Sequence, residues 1–287
     1  MMSADIRPYF HQDTSTWCYL VSDPQTQQAA IIDPVMDFDQ KSGQISSKFI
    51  DKILADIHRD GLLLKWVLET HAHADHLSAG AYLRQKTGAR IGIGEHIQTV
   101  QKTFFDAFNE ADQPADGSQF DFLFSDNSEF FIGELPAMVM HTPGHTPACV
   151  SYLIGDGDLF IGDTLFMPDV GTARCDFPGG DAKTLYRSLK EILALPKDTR
   201  LWLCHDYPEG REACPMVTVA EQRARNFHIH DGVTEAAFLD IRTSRDAKLA
   251  VPQLLYPSLQ VNIRAGDLPD PESNGQCYLK LPIKMSK

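Results

Sequence analysis

The segment Trp66-Val67-Leu68-Glu69-Thr70-His71-Ala72-His73-Ala74-Asp75-His76 constrains this chain more than any other: an apolar, strand-like run ends in three histidines and an aspartate within six positions. His71 and His73 are two apart, so in an extended strand both side chains leave on the same side. Asp75 and His76 follow where the chain is expected to turn into a helix starting near Leu77. Imidazole is a common ligand for zinc and non-haem iron, and a carboxylate beside it supplies a hard oxygen ligand or an acceptor that orients a ring. A packed core has no use for such a cluster, so the spacing marks a metal site.

Further ligands are sought where other apolar runs end in polar residues. Ala137–Met140 leads into His141-Thr142-Pro143-Gly144-His145-Thr146-Pro147, whose Pro and Gly stop a strand and hold a histidine in a loop. Asp158–Gly162 leads into Asp163, with Gly162 allowing close backbone approach. Leu201–Cys204 leads into His205-Asp206-Tyr207-Pro208. The same pattern, a buried strand ending in a ligand, thus recurs along the chain.

Composition narrows the class. The 287 residues fit one large domain with a tail. No apolar run reaches the ~18 residues of a membrane span, and Met1 to Thr16 lacks the basic-then-apolar order of a secretory signal, so a cytoplasmic location is expected. Six scattered cysteines without a paired motif read as reduced thiols. With 26 Lys plus Arg against 39 Asp plus Glu, the net charge of −13 disfavours nucleic acid as a partner. An anionic substrate then needs a local cationic pocket, for which Arg174, Lys183, Arg211, Arg223 and Arg225 are the candidates. A homodimer is left open.

The coarse reading places hairpin strands at Trp17–Ser22 and Ala29–Ile32, then an amphipathic helix at Phe49–Arg59 stopped by Gly61. Leu77–Thr87 reads as a second helix ended by Gly88, Gln113–Asn127 as a surface loop, and Phe130–Ile132 as a strand. A third helix spans Asp181–Leu195, with Asp181 as its cap and Pro196 beyond its end. One helical stretch, Val217–Phe227, is expected after His205, ahead of a Pro-punctuated end. The division expected is a catalytic unit over 1–215 and an extension over 216–287 packed on the same domain.

The His-x-His-x-Asp-His loop, a later His, a Gly-Asp at a strand end and a final His, in this order between residues 6 and about 210, resemble the metallo-β-lactamase superfamily. That resemblance implies a four-layer α/β/β/α sandwich with a metal site along one edge. Fold alone leaves the reaction open. After Asp163, Arg174-Cys175-Asp176-Phe177 and the later Lys183-Thr184-Leu185-Tyr186-Arg187-Ser188 are similar to the persulfide dioxygenases, departing from their pattern at Ala173 and Cys175. Glyoxalase II usually carries a Gly-Arg-Phe-Phe-Glu-Gly loop here instead. The tail around Pro257–Gly266 resembles the bacterial β-lactamase-like hydrolase subgroup, which groups with the dioxygenases despite its name.

The dioxygenase resemblance implies oxidation of glutathione persulfide, or a related persulfide, by O2 to sulfite and thiol in sulfide detoxification. It also implies one Fe(II) per chain on His71, His145 and Asp163, a two-His, one-carboxylate facial triad with positions left open for substrate. His73, Asp75, His76 and His205 would hydrogen-bond around it, with Asp75, His205 and Arg174 serving catalysis and Arg174, Tyr207 and Arg211 contacting substrate. The rival resemblance, to glyoxalase II, implies a thioester hydrolase using zinc or two metals. Its ions would sit on His71, His73 and His145 and on Asp75, His76 and His205, bridged by Asp163. A third reading is a sensor that retains the site without turnover.

Other residues read more plainly. His11, His58 and His96 lie outside the motifs, and His228 and His230 sit in an alternating tail segment and read as structural. His141 is expected to hydrogen-bond near the ligands. Cys149 and Cys204 read as core thiols, and Cys175, beside Arg174, is a candidate thiolate.

Overall fold

Period-two alternation sorts the strands into layers. Along Thr16–Ser22, Cys18 and Leu20 turn to one apolar core while Trp17, Tyr19 and Val21 turn to another. The computed structural model describes residues 3–283 and Met285; Met1, Met2, Lys284, Ser286 and Lys287 lie outside the described residues. Its first half comprises β1 (Asp5–His11), β2 (Thr16–Ser22), β3 (Gln28–Ile32), β4 (Val35–Asp39), β5 (Gln44–Ser46), α1 (Lys48–Arg59), β6 (Leu63–Leu68), β7 (Leu77–Ser78), α2 (Gly80–Thr87), β8 (Arg90–Gly94), α3 (Ile97–Ala107) and β9 (Phe122–Phe124). The second half comprises β10 (Glu129–Ile132), β11 (Leu135–His141), β12 (Val150–Ile154), β13 (Asp158–Phe160), α4 (Ala182–Leu193), β14 (Arg200–Trp202), β15 (Met216–Thr218), α5 (Val219–Arg225), α6 (Glu235–Asp246) and α7 (Leu255–Asn262).

Two six-stranded sheets result, ordered β1-β2-β3-β6-β8-β9 and β10-β11-β12-β13-β14-β15, with a small β5-β4-β7 sheet beside them. Aromatic side chains fill the space between the two large sheets: Trp17, Tyr19 and Trp66 from one, Phe130, Tyr152 and Phe160 from the other. Phe49, Ile50, Ile53, Leu54 and Ile57 of α1 pack with α2, α3 and α7 on the outer face of the first sheet. Leu185, Leu189 and Ile192 of α4 and Phe238 of α6 cover the second. This is the four-layer α/β/β/α sandwich.

Four differences from the sequence reading have local causes. Leu77-Ser78 pairs with β4, so the helix starts only at Gly80; the strand is too short for periodicity to register. The 113–127 stretch contains β9, which closes the edge of the first sheet through Phe122–Phe124. Beyond residue 215 there are three helices rather than one, preceded by β15, which pairs with β14. A boundary at 215 therefore cuts through a sheet, and the extension is integral to the sandwich.

α7 shows how integral. Asn262 is buried, its amide nitrogen donates to the backbone oxygens of His73 and His76 at 2.8 and 2.8 Å, and its Oδ1 accepts from the Ser78 amide at 2.7 Å. One C-terminal side chain thus closes the His71–His76 loop. Replacing Asn262 with Ala leaves three buried backbone groups without partners, a cost of about 2–4 kcal/mol. Urea unfolding is expected to show a lower midpoint at unchanged slope; a loss below about 0.5 kcal/mol would mean that α7 merely rests on the loop.

Candidate metal centre and cleft

Every prospective ligand lies just beyond the C-terminal end of a strand. β6 feeds His71, His73, Asp75 and His76; β11 leads to His145; β13 to Asp163; β14 to His205. The His71–His76 segment is loop rather than strand, yet the rings of His71 and His73 lie 4.1 Å apart. Gly162, at φ 52°, lets its loop pass against Thr70: a Cβ there would meet Thr70 Oγ1 at 2.7 Å. Gly144 does the same for the His145 loop, where a Cβ would lie 2.3 Å from Leu185 Cα. His141 bonds the Pro147 carbonyl at 2.9 Å, so it steadies the loop carrying His145, as expected.

Hydrogen bonds on the outward nitrogens fix the ring tautomers. The carbonyl of Arg174 can only accept, so His145 donates from Nδ1 at 2.8 Å and keeps the Nε2 lone pair free. The Ser15 carbonyl does the same for His205 at 3.2 Å. Thr70 gives its hydroxyl proton to Asp33 at 2.9 Å and so accepts from His71 Nδ1 at 3.1 Å, again freeing Nε2. His73 is turned the other way, with Nε2 donating to Asp33 Oδ1 at 3.0 Å and the lone pair of Nδ1 facing the Cys204 thiol at 4.0 Å.

Asp33 carries no motif signal and was not picked out from sequence. It follows β3 at φ 50°, an unusual backbone conformation for a side chain of this kind, and takes the Thr70 amide, the Thr70 hydroxyl and His73 together. The one clue was position: it too is an acid at the end of an apolar strand, Ala29–Ile32. Burial raises its carboxyl to about 6, against the Thr70 bonds and the nearby histidines. Glu69, equally buried, is pushed well above the carboxylate range by burial and by Asp33.

The inward-facing atoms form two groups. His71 Nε2 and His145 Nε2 lie 4.0 and 3.7 Å from Asp163 Oδ2. His205 Nε2 lies 3.2 Å from Asp75 Oδ2 and 3.4 Å from Asp163 Oδ1, and joins a cluster with His73, Asp75 and His76. Ligand atoms bound at metal distances stand about 3–3.5 Å from one another. His71 Nε2, His76 Nε2, His205 Nε2, Asp75 Oδ2 and Asp163 Oδ1 are all buried without a hydrogen-bond partner. Five such atoms aimed at one region would be costly in an ordinary core, and the donor set fits a metal ion.

Electrostatics agree. Burial, reinforced by neighbouring rings, holds His71 and His73 well below the usual imidazole range and therefore neutral, the form that binds metal. Burial raises the Asp163 carboxyl. For His205 burial acts downward, but Asp75 and Asp163 outweigh it and the net shift is upward.

The centre opens into a cleft of about 330 Å³ lined by Asp75, His145 and Asp163 on one side and Phe166, Phe177 and Leu249 on the other. Tyr207 joins this lining, with its ring parallel to His205 at 5.9 Å. Arg174 lines it too, but its guanidinium is engaged by Asp176 at 2.6 and 2.7 Å, and its role toward the metal site runs through its carbonyl.

The remaining cations expected at substrate lie elsewhere. Arg211 is clamped between Asp206 and Asp169 and lines, with Arg225, a separate surface groove. Arg223 pairs with Asp231, and Lys183 with Glu235. These cations lie near the motifs in sequence, but whether each is free depends on carboxylate partners that no local pattern marks. Arg242 and Arg245 of α6, missed in the sequence, line the cleft instead.

Cys175 is not a thiolate: burial pushes its thiol up to about 12 despite the nearby Arg242. Cys149 is a buried core thiol, as expected. Cys204 is also buried, but its Sγ lies 4.0 Å from His73 Nδ1, so it forms part of the floor of the metal site. His228 is buried and accepts from the Thr172 amide, a structural use in line with expectation.

No helix among the described residues is long and apolar enough to cross a membrane. The chain is 50% identical to Glyoxylase B2 of Dictyostelium discoideum over 99% of its length and 98% of that protein's. It is 51% identical to a Beta-lactamase hydrolase-like protein of Agrobacterium fabrum, covering 97% of this chain but only 64% of that one. Human Persulfide dioxygenase ETHE1 is 27% identical, with 91% of this chain and 88% of that protein covered. The crystal structure of ETHE1 from Myxococcus xanthus superposes with a TM-score of 0.74 at 29% identity, over 92% of this chain and all of the other (100%). The metallo-beta-lactamase superfamily profile matches residues 11–205, so with this sandwich and this ligand set the chain belongs to the metallo-beta-lactamase superfamily.

Proposed function

We propose that this protein oxidises a low-molecular-weight persulfide, such as glutathione persulfide, with O2, using one Fe(II) held by His71, His145 and Asp163. The observation that carries the reading is that two imidazole nitrogens and one carboxylate oxygen form a compact set, of which His145 and Asp163 line a cleft with largely apolar walls. A two-His, one-carboxylate face is the ligand set of non-haem iron oxygenases. The similarity to the persulfide dioxygenase ETHE1 supports the same choice.

The reaction balances as persulfide plus O2 plus water giving thiol, sulfite and two protons. The S–S bond breaks, the terminal sulfur is oxidised and O2 is reduced. Iron, when bound, supplies a redox-active Lewis acid with positions open for substrate. The chain supplies the rest. Phe166, Phe177 and Leu249 exclude water and favour the sulfur end of the substrate. Asp75, at the cleft surface, faces His205 Nε2 at 3.2 Å, and this pair can hold a proton for the departing thiol.

A second reading, thioester hydrolysis with two metals, has its own support. His73, Asp75, His76 and His205 offer a second ligand group, and Asp163 turns one oxygen to each group. The name of Glyoxylase B2 points the same way. His205 separates the two. His205→Ala is expected to retain about one iron per chain with reduced oxygen uptake on glutathione persulfide, whereas Asp163→Ala loses iron and activity together. Two metals per wild-type chain with turnover of S-lactoylglutathione, and loss of one metal in His205→Ala, would favour hydrolysis instead.

Metal removal is expected to destabilise the fold, because it strands the unpaired buried ligand atoms. A metal at a hundredfold its Kd contributes about 2.7 kcal/mol, which at ~2–4 °C per kcal/mol for a chain of this size predicts a fall in Tm of about 5–10 °C on chelation. The gap between loaded and metal-free protein should widen as pH rises from the acidic side towards neutrality, since bound ligands must be deprotonated and burial raises the Asp163 carboxyl. A gap that narrows over this range in scanning calorimetry would contradict the ligand assignment.

A further inference from the structure

Persulfide oxidation and thioester hydrolysis both release protons, and substrate fills the cleft while either reaction runs. Behind His205, on the ring edge opposite the ligand cluster, a line of polar side chains runs to the surface. His205 Nδ1, whose proton is shared with the Ser15 carbonyl at 3.2 Å, lies 3.3 Å from Thr16 Oγ1. Thr16 Oγ1 lies 2.7 Å from Thr14 Oγ1, which lies 2.8 Å from His11 Nδ1. His11 Nε2 lies 3.3 Å from Asp37 Oδ1. Asp37 is partly exposed and lines a surface hollow of about 570 Å³ with Asp13 and Asp39.

The donors align in one direction. His11 donates from Nε2 to Asp37, so its Nδ1 accepts from Thr14; Thr14, having given its proton, accepts from Thr16, and Thr16 accepts from His205. Burial holds the His11 imidazole below its usual range, against the pull of Asp37 on β4 and Asp13 in the turn and with a smaller contribution from His76. The ring is therefore neutral at rest and open to a proton at Nδ1; Phe49 of α1 packs edge-on against it at 4.9 Å. Ser15, between the two threonines, sits at φ 54°, a conformation uncommon outside glycine. Docking the turn needs none of these hydroxyls, because the Trp17 amide already donates to the Cys204 carbonyl at 2.7 Å.

We propose that Thr16, Thr14 and His11 form a proton exit from His205 to Asp37, so that protons released at the centre leave behind the site rather than through the substrate cleft. A proton taken up at His205 Nε2 is matched by loss of the Nδ1 proton to Thr16 Oγ1. Thr16 passes its own proton to Thr14, Thr14 to His11 Nδ1, and His11 releases its Nε2 proton to Asp37 and bulk solvent. At each step one N–H or O–H bond breaks and one forms, and no net charge stays behind. The group that gains and loses charge along the path is His11, two hydroxyls removed from His205. Neither His11 nor Thr14 touches substrate; both act through His205. The inference rests on the centre being the site of a proton-releasing reaction, not on which of the two reactions it is.

The test follows the proton without turnover. In zinc-loaded protein carrying isotope-labelled histidine, exchange of the buried His205 Nδ1 proton with solvent is measured by NMR. Thr14→Val, which removes the hydroxyl at nearly constant volume, and His11→Gln are each expected to slow exchange by roughly tenfold or more at unchanged metal content. Thr14→Ser should restore it. A merely structural role has the opposite sign, since a loosened turn opens more often and exchange quickens.

Exchange that is unchanged or faster in Thr14→Val overturns the relay, as does slowed exchange that Thr14→Ser fails to restore. Oxygen uptake on glutathione persulfide by the iron-loaded enzyme is recorded in parallel. If exchange depends on Thr14 and His11 but no O2 is consumed, the oxidation reading fails and the relay stands. If O2 is consumed while Thr14→Val exchanges as fast as wild type, the reverse holds.

Discussion

The structure depends on the cost of burying imidazoles and carboxylates together. His71, His73, His76 and His205 are all essentially inaccessible to solvent, and such groups persist inside a protein only when their polar atoms find partners. Here the outward nitrogens of His71, His73 and His205 are satisfied by Thr70, Asp33 and Ser15, while the inward ones of His71 and His205 are left over and that of His73 meets only the weak Cys204 thiol. The outer bonds therefore do two things at once: they satisfy half of each ring, and they choose the tautomer that presents a lone pair inward. The unpaired remainder is what a metal ion would satisfy, so folding and metal binding would share the same atoms.

That requirement explains the architecture around the site. Asp33 comes from β3, His71 from the loop after β6, Asp163 from beyond β13 and His205 from beyond β14, so strands of both large sheets must stand in register before the outer partners meet the rings. The aromatic layer between the sheets sets that register. Tyr19 crosses it to bond the Leu203 and Pro215 carbonyls, and Tyr152 crosses it to bond the Glu69 carbonyl at 2.8 Å. The C-terminal extension then completes the arrangement at two points, Asn262 beneath the ligand loop and α6 along the cleft.

The ligand set was legible because its chemistry is local. Three histidines and an aspartate in six positions, and polar residues ending apolar runs at His145, Asp163 and His205, need no tertiary information to be noticed, and all lie at the centre. Long periodic elements such as α1 and α4 were legible for the same reason. Leu77-Ser78 and Phe122–Phe124 were not: strands of two and three residues are defined by the partner that pairs with them, not by their own pattern. The cations were misjudged for a related reason. Arg211 lies close in sequence to the final ligand, but whether a guanidinium is free depends on carboxylates such as Asp169, 42 residues away.

The sequence by itself determined that the chain is built of strands ending in histidines and acids of metal-binding chemistry, and which residues those are, because such chemistry belongs to the side chain and strand ends are marked by local pattern. Only the tertiary structure decided which nitrogen of each ring faces the shared centre, that Asp33 and Asn262 hold the loop, and that Arg245 rather than Arg211 borders the cleft. Those properties reside in hydrogen bonds and ion pairs between residues up to about two-thirds of the chain apart, such as Asn262 with His73, separated by 189 positions. No local pattern encodes such a pairing; it exists once the sheets have stacked and the extension has docked.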